Sequence, residues 1–238
     1  MNVLKQALGH ITGGMVLDVA TGRGGSIGVL QRNIKSHSVV VGIDNSEANI
    51  KQAQKSHGNE DVLFIRMNAE DLALIDHCFD TVCIFNSLHH LVNIRQVLDE
   101  MKRVLKPGGK FVISETHRDG ETESQLTIVY IHHWIAQIDT ALGFVHNKTF
   151  TRRKIIDYAS GLGLSDLVIH NRVIKDKDPF NEKTIRRYEK YLIEKYLQRA
   201  KEALDSQRLV EQGAELRKRL HAVGTQTQEP LVIIVGEK

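Results

Sequence analysis

Up to about residue 116 the chain alternates between short apolar runs and stretches with helical spacing. The runs "GMVLDVA" (14–20), "SVVVGID" (38–44), "DVLFIRMN" (61–68), "FDTVCIFN" (79–86) and "KFVISE" (110–115) are rich in β-branched residues, and each predicts a strand. Between them, "SIGVLQRNI" (26–34), "SEANIKQAQKSH" (46–57) and "IRQVLDEMKRVL" (94–105) have apolar residues at helical spacing. Ser46 is a fitting cap for the second of these, and "KPGG" stops the third. Continuous apolar strands separated by helices predict a parallel sheet covered on both faces.

Later the rhythm changes. Residues 122–142 predict a helix on which Ile128, His132, Ile135, Asp139 and Leu142 share one face. A His and an Asp inside an apolar stripe need partners if buried, either in a pocket lining or as satisfied polar groups of a core. His133 and Trp134 point elsewhere. "TRRKIIDYASGLGL" (151–164) reads as an amphipathic helix capped by Thr151, and "DLVIHNRV" (166–173) as a strand. Residues 181–223 predict one long helix or two, with Ile185, Tyr188, Leu192, Tyr196 and Leu197 as a buried stripe, and "EPLVIIVGEK" (229–238) predicts a closing strand.

The expected fold is therefore α/β: a doubly wound, seven-stranded, mostly parallel sheet of Rossmann-like type, with helical insertions after strands 5 and 6. The chain reads as one domain over 1–238, with substrate-lid helices at 117–150 and a helical insertion at 176–228. About fifteen residues before the first strand are too few for an N-terminal cap of several helices, so a lid must come from those two segments.

Composition narrows the class. With 238 residues, 41% hydrophobic and 26% charged, the chain can bury a sizeable core. Net charge is +3; residues 181–221 hold 11 Lys/Arg against 7 Asp/Glu, which leaves the rest at −1. That bias is too mild to argue a nucleic-acid partner. Cys78 and Cys83 offer neither a disulfide framework nor a zinc pattern, which fits a reducing, cytoplasmic compartment. The first ten residues lack the apolar core of a signal peptide, and no apolar window is long enough for a membrane span.

The chemistry begins at "VLDVATGRGG" (16–25), where an apolar strand stops at an Asp and runs into glycines. A strand, a glycine-rich turn and a helix make an anion or nucleotide site. The dinucleotide pattern G-x-G-x-x-G fits at Gly22 and Gly24, but Ile27 stands at its third position, and the G-K-[ST] of a phosphate loop is absent. The next strand ends at Asp44, 22 residues after Gly22. A carboxylate there can accept hydrogen bonds from both hydroxyls of a ribose. The ligand then looks like a nucleoside without pyrophosphate, and S-adenosylmethionine fits.

With these residues the sequence resembles the class I S-adenosylmethionine-dependent methyltransferases, especially the small-molecule branch similar to the ubiquinone/menaquinone-biosynthesis enzymes. "VLDVATGRGG", "GIDNSEANIKQA", "MNAEDL" (67–72), "FDTVCIFNSLHHL" (79–91) and "VLKPGGKFVISE" (104–115) look like successive family motifs, in order. The resemblance implies that Asp18 anchors the loop and the methionine amino group, and that Gly22 and Gly24 let backbone approach the methionine portion. It also implies that Asp44 binds the ribose with Asn45 beside the adenine, that Asn68 and Ala69 face the adenine, and that Asn86 faces the methionine end. Ser26, where the family often has Gly, and Asn68, where it often has Asp, are departures.

The implied activity is transfer of a methyl group from S-adenosylmethionine to a small-molecule acceptor by in-line displacement, leaving S-adenosylhomocysteine. Alignment supplies most of such an acceleration. His90, in "NSLHH", and His117, after the fifth strand, are the candidate bases or substrate anchors. Glu115, His132 and Asp139 are candidate substrate contacts. His117, His132 or His133, Asp139 and His146 raise a metal question, but no H-x₃-H or H-E-x-x-H spacing occurs and no metal is assigned. The 181–223 segment is expected to act as a lid or as a homodimer interface. The alternatives are RNA or protein methylation, supported only by the basic insertion, and a non-catalytic S-adenosylmethionine-binding protein.

Overall fold

A computed structural model of the chain describes residues 2–59, 61–120, 122–172, 178–226 and 228–238. The remaining positions, among them the end of the expected strand at 166–173 and the first residues of the insertion at 176–228, lie outside the described residues.

The expected strands form where the apolar runs lie: β1 (Met15–Val19), β2 (Val39–Asp44), β3 (Val62–Arg66), β4 (Phe79–Phe85), β5 (Leu105–Thr116), β6 (Ser165–Asn171) and β7 (Leu231–Glu237). They make one sheet in the order β3-β2-β1-β4-β5-β7-β6. From β3 to β5 every pairing is parallel, with Leu17 opposite Val41 on one side and Val82 on the other. β7 runs antiparallel to β6. It also opposes β5, because the Gly108 N–H donates to the Lys238 carbonyl at 2.8 Å and Lys238 N–H to Gly109 at 3.1 Å. The result is a seven-stranded, mostly parallel sheet.

The helices of this part are α1 (Val3–Leu8), α2 (Ile27–Asn33), α3 (Glu47–His57), α4 (Ile94–Val104) and, after the 19-residue α5 (Glu123–Ala141), α6 (Arg152–Ser160). Ser46 caps α3, its hydroxyl accepting from Asn49 N–H at 3.3 Å. One detail differs from the sequence reading. β5 starts at Leu105 rather than Lys110, because Leu105 already pairs with Phe79 and a register shift between Phe79 and Thr81 absorbs the "KPGG" turn. At α6 the first amide, Arg152 N–H, donates to Asp119 Oδ2 at 2.6 Å, so a carboxylate distant in sequence helps to satisfy that end.

The 181–223 segment is two helical arms. The first is α7 (Glu182–Tyr188) and α8 (Lys195–Ala200), joined through a π-helical stretch, Glu189–Glu194; the second is α9 (Ser206–Val223). Asn181 caps α7 by accepting from Thr184 N–H at 3.1 Å.

Although the sequence reads as one domain with two insertions, the chain divides into two compact units. The first is 1–115, 153–171 and 232–238; the second is 116–152 and 172–231, which holds the two insertion segments. The second unit has its own core. Trp134, Ile131 and Ile138 of α5 pack with Leu209 and Leu220 of α9 and with Ile193. The indole N–H of Trp134 donates to the Leu209 carbonyl at 2.8 Å, so the ring is buried without stranding its polar atom. A Cβ on Gly213 would lie 2.5 Å from Trp134, so a helix-interior glycine lets α9 approach the indole. The stripe of Ile185, Tyr188, Leu192, Tyr196 and Leu197 belongs to this same core. Among the described residues, no helix is long and apolar enough to cross a membrane.

Candidate functional site

In a parallel sheet the strand order reverses at one point, and the carboxyl ends of the strands there open a crevice. Here that point lies between β1 and β4. Asp18, Gly22 and Gly24 follow or end β1; Asp44 and Asn45 stand at the end of β2; Asn68 and Ala69 follow β3; Asn86 and His90 follow β4; Glu115 is near the end of β5. The first unit thus gathers the predicted cofactor residues at one edge of its sheet.

The loop after β1 is built from left-handed backbone. Ala20, Gly22 and Gly24 have φ of 54°, 56° and 82°. At Ala20 this costs about 1–2 kcal/mol, which the surrounding hydrogen bonds hold in place. The two glycines differ. A Cβ on Gly22 would meet nothing within 4 Å, so open space lies in front of it. A Cβ on Gly24 would stand 2.8 Å from His57 and 3.3 Å from Phe64, so that glycine also serves packing.

Asp44 locks the loop to β2. Its Oδ2 accepts from the Gly22 N–H at 3.0 Å, while its Oδ1 accepts from Ser46 N–H at 2.9 Å and from the Asn49 amide at 3.2 Å. Thr21 N–H adds a bond to the Ile43 carbonyl at 2.8 Å. Asp44 is part-exposed, and a carboxylate has about four lone-pair sites, so it keeps capacity toward a hydroxyl ligand. Asn45 is exposed, with its carbonyl taken by the Arg66 guanidinium at 3.1 Å. Asn68 Oδ1 accepts from Glu70 N–H at 3.1 Å and shapes the turn that presents Ala69. Asn86 is exposed with φ of 46°, a conformation Asn tolerates, and its N–H donates to the Ser114 carbonyl at 2.7 Å.

Asp18 lies beneath the loop, fully buried. Its carboxylate accepts from the Ser26 hydroxyl and faces the Cys83 thiol at 3.7 Å. Burial pushes its pKa up to about 6, with the hydrogen bonds from Ser26 and Cys83 opposing that rise. The geometry makes Asp18 an anchor of the loop through Ser26. Burial also drives the Cys83 thiol well above its ordinary value.

The "NSLHH" segment forms a short 3₁₀ turn, Leu88–His90. His90 is exposed, whereas its neighbour His89 is 2% exposed. His89 Nδ1 lies 2.9 Å from Glu115 Oε1, and Leu88 N–H donates to Glu115 Oε2 at 2.8 Å. Glu115, expected to face a substrate, is fully buried and instead holds this turn against β5. His89 differs from His90 in its burial and in its pairing with a residue 26 positions away, and neither is visible in the local sequence.

The remaining candidates belong to the second unit. His117 is part-buried, with Nδ1 3.8 Å from Asp119 Oδ2. His132 and Asp139 both meet His146, at 3.2 Å and 2.7 Å. Arg199 of α8 lies 2.7 Å from Asp139 Oδ1. In the sequence Arg199 is one charge among many on a solvated helix, and no spacing marks it.

Residues 17–113 match the family described as "Methyltransferase domain". This segment is similar to methyltransferase domains. It contains the whole loop after β1, the Asp44 joint and the His89–His90 turn; Glu115 lies just beyond it. Over 111 residues the chain is 38% identical to the demethylmenaquinone methyltransferase of Clavibacter sepedonicus, covering 46% of this chain and 44% of that protein. Over 109 residues it is 35% identical to a phthiotriol/phenolphthiotriol dimycocerosates methyltransferase of Mycobacterium tuberculosis, covering 46% and 40%. The chain thus spans less than half the length of these relatives. Among solved structures, the YcgJ protein of Bacillus subtilis is similar with a TM-score of 0.58 at 19% identity, covering 99% of this chain and 95% of that one. The [4+2]-cyclase SpnF is similar with a TM-score of 0.62 at 16% identity, covering 99% and 78%. Likeness at that identity shows the fold alone.

Proposed function

We propose that the protein transfers a methyl group from S-adenosylmethionine to a small-molecule acceptor. The observation that carries the reading is the joint between the Gly22 N–H and the Asp44 carboxylate at 3.0 Å, beside the open space in front of Gly22, within a methyltransferase domain. Asp44 takes the ribose, Asn45, Asn68 and Ala69 the adenine, and Gly22, Gly24 and Asn86 the methionine end, with Asp18 anchoring the loop beneath it. The bound cofactor supplies an activated methyl group. The chain's task is to hold the acceptor atom in line with it and to exclude water, which suits a site built from rigid strand ends.

His90, exposed on the turn after β4, is the base or substrate anchor of the first unit, and His117 that of the second. Segments outside 17–113 select the acceptor, with His132 and Asp139 as substrate contacts. The names of both relatives, a demethylmenaquinone and a phthiotriol methyltransferase, favour a small organic acceptor. We place the enzyme in the cytoplasm, with two cysteines recorded as free thiols. A homodimer through 181–223 would have to use its polar faces, since its apolar stripe lies in its own unit's core.

A cyclase sits among the similar structures, so fold alone does not assign methyl transfer. The test supplies the purified chain with methyl-labelled S-adenosylmethionine and a cell extract separated into small molecules, RNA and protein. Label in the small-molecule fraction supports the proposal. Label in RNA or protein moves the acceptor class. Cofactor binding with no label anywhere favours a binding protein or a different chemistry.

A further inference from the structure

The second unit contains a cluster whose arrangement goes beyond a pair of substrate contacts. His132 and His146 present their Nε2 atoms to each other at 3.2 Å, with ring planes at 80°, so edges meet rather than faces. On the far side of each ring stands a carboxylate. His146 Nδ1 is 2.7 Å from Asp139 Oδ2, and His132 Nδ1 is 3.9 Å from Glu229 Oε1. Asp139 is held in turn by the Arg199 guanidinium at 2.7 Å. His146 is 8% exposed, while the side chains of His132 and Glu229 are 20% and 34% exposed, so the cluster is rooted in the unit but open at one end.

The protonation pattern is restrictive. Asp139, paired with Arg199, is an acceptor, so it takes the Nδ1–H of His146 and leaves a lone pair on His146 Nε2. If His132 likewise turns Nδ1–H toward Glu229, the two Nε2 lone pairs at 3.2 Å share a cation, either a proton or a metal ion. Carboxylates on the remote nitrogens are the usual outer partners of metal-bound imidazoles, fixing tautomer and ring orientation. Two imidazole nitrogens bound to one ion at about 2.0–2.1 Å stand about 3.0–3.4 Å apart, which brackets the observed separation.

We propose that His132 and His146 bind a divalent transition-metal ion of the zinc class through their Nε2 atoms, with Asp139 and Glu229 as outer-shell partners. Imidazole donors suit Zn²⁺ and its first-row neighbours rather than Mg²⁺ or Ca²⁺. The sequence assigned no metal because the two histidines are fourteen residues apart, outside any familiar ligand spacing. The proposal stands independently of the methyl-transfer reading.

The test is equilibrium dialysis of the metal-stripped full chain against ZnCl₂, with CoCl₂ as the spectroscopic probe. One equivalent of Zn²⁺, displacing Co²⁺ with loss of its ligand-field bands, is expected. His132→Gln and His146→Gln should each abolish it, and Asp139→Asn should weaken it about 10-fold or more. X-ray absorption on zinc-loaded wild type, expected to show imidazole nitrogens, decides the matter if a variant does not fold. No stoichiometric Zn²⁺ in wild type overturns the proposal and leaves a shared proton between the rings. So does a zinc shell without imidazole, or full binding by folded His132→Gln and His146→Gln.

Discussion

Glu115 Oε1 stands 2.9 Å from Nδ1 of His89, and both side chains are buried. A strand-end carboxylate and a turn histidine, 26 residues apart, thereby fix the segment that carries His90. Replacing Glu115 with Ala strands both the His89 ring and the Leu88 N–H. Each buried donor without a partner costs about 1–3 kcal/mol, so a loss of about 3 kcal/mol is expected. At this chain length that lowers Tm by about 6–12 °C in a thermal melt. Glu115→Gln, which keeps an oxygen for Leu88, should lose less. An unchanged melt for the Ala variant would mean that the pair contributes nothing to stability.

Asp44→Ala removes the acceptor for Gly22 N–H, Ser46 N–H and the Asn49 amide together. It also removes the proposed ribose partner. A hydrogen bond to a charged group is worth about 1.5–3 kcal/mol, so S-adenosylmethionine affinity should fall about 10- to 100-fold in calorimetry. Affinity equal to wild type would sink the ribose assignment.

Gly22→Ala separates backbone strain from ligand access. The new Cβ clashes with nothing in the chain, but φ of 56° is unfavourable for Ala. Unfolding free energy should drop by about 1–2 kcal/mol. The Cβ also enters the space in front of the loop, so cofactor affinity should fall by more than the strain explains. Chemical denaturation and calorimetry on the same preparation give the two numbers.

Asp18 makes stability depend on pH in a definite direction. The native carboxyl keeps its proton up to about pH 6, mainly because burial disfavours its charge. An unfolded chain releases it near 3.9. Between those values the native state binds more protons, so this group's contribution declines as pH rises from about 4 to about 6 and remains lost above. Asp18→Asn does not titrate. Relative to wild type it should become more stable by about 2–3 kcal/mol between pH 4 and pH 7 in urea titrations. A pH-independent difference would show that Asp18 titrates normally.

Gly213→Ala tests the second unit alone. A methyl group there would meet Trp134 at 2.5 Å and Leu197 at 2.6 Å. Ala favours the helix by about 1 kcal/mol, whereas overpacking a core costs about 1–3 kcal/mol. A net loss of stability is expected. A gain would mean that α9 has room to shift away from α5.

Most of the sheet is readable in the primary structure because strands buried on both faces cannot carry polar residues without penalty. Val39–Asp44 and Phe79–Phe85 are therefore nearly unbroken apolar runs, and their helices announce themselves by spacing and by caps such as Ser46. β6 is harder, since its residues are mostly exposed or half-exposed, and the first amide of α6 donates to Asp119, 33 residues away. The loop glycines were visible as glycines, but their different reasons were not: Gly22 faces open space and Gly24 faces His57 and Phe64.

Local patterns along the chain are enough to name the α/β class, the order of its elements, the loop at Gly22 and its acidic counterpart at Asp44, because each depends on neighbours within a turn or at a strand end. Which polar groups meet is a different kind of fact. His89 rather than His90 pairs with Glu115, Asp139 gathers Arg199 and His146, and His146 faces His132 across 3.2 Å. Such encounters join residues on separate elements, at distances set by how whole helices and strands pack, and a one-dimensional pattern holds no term for that distance.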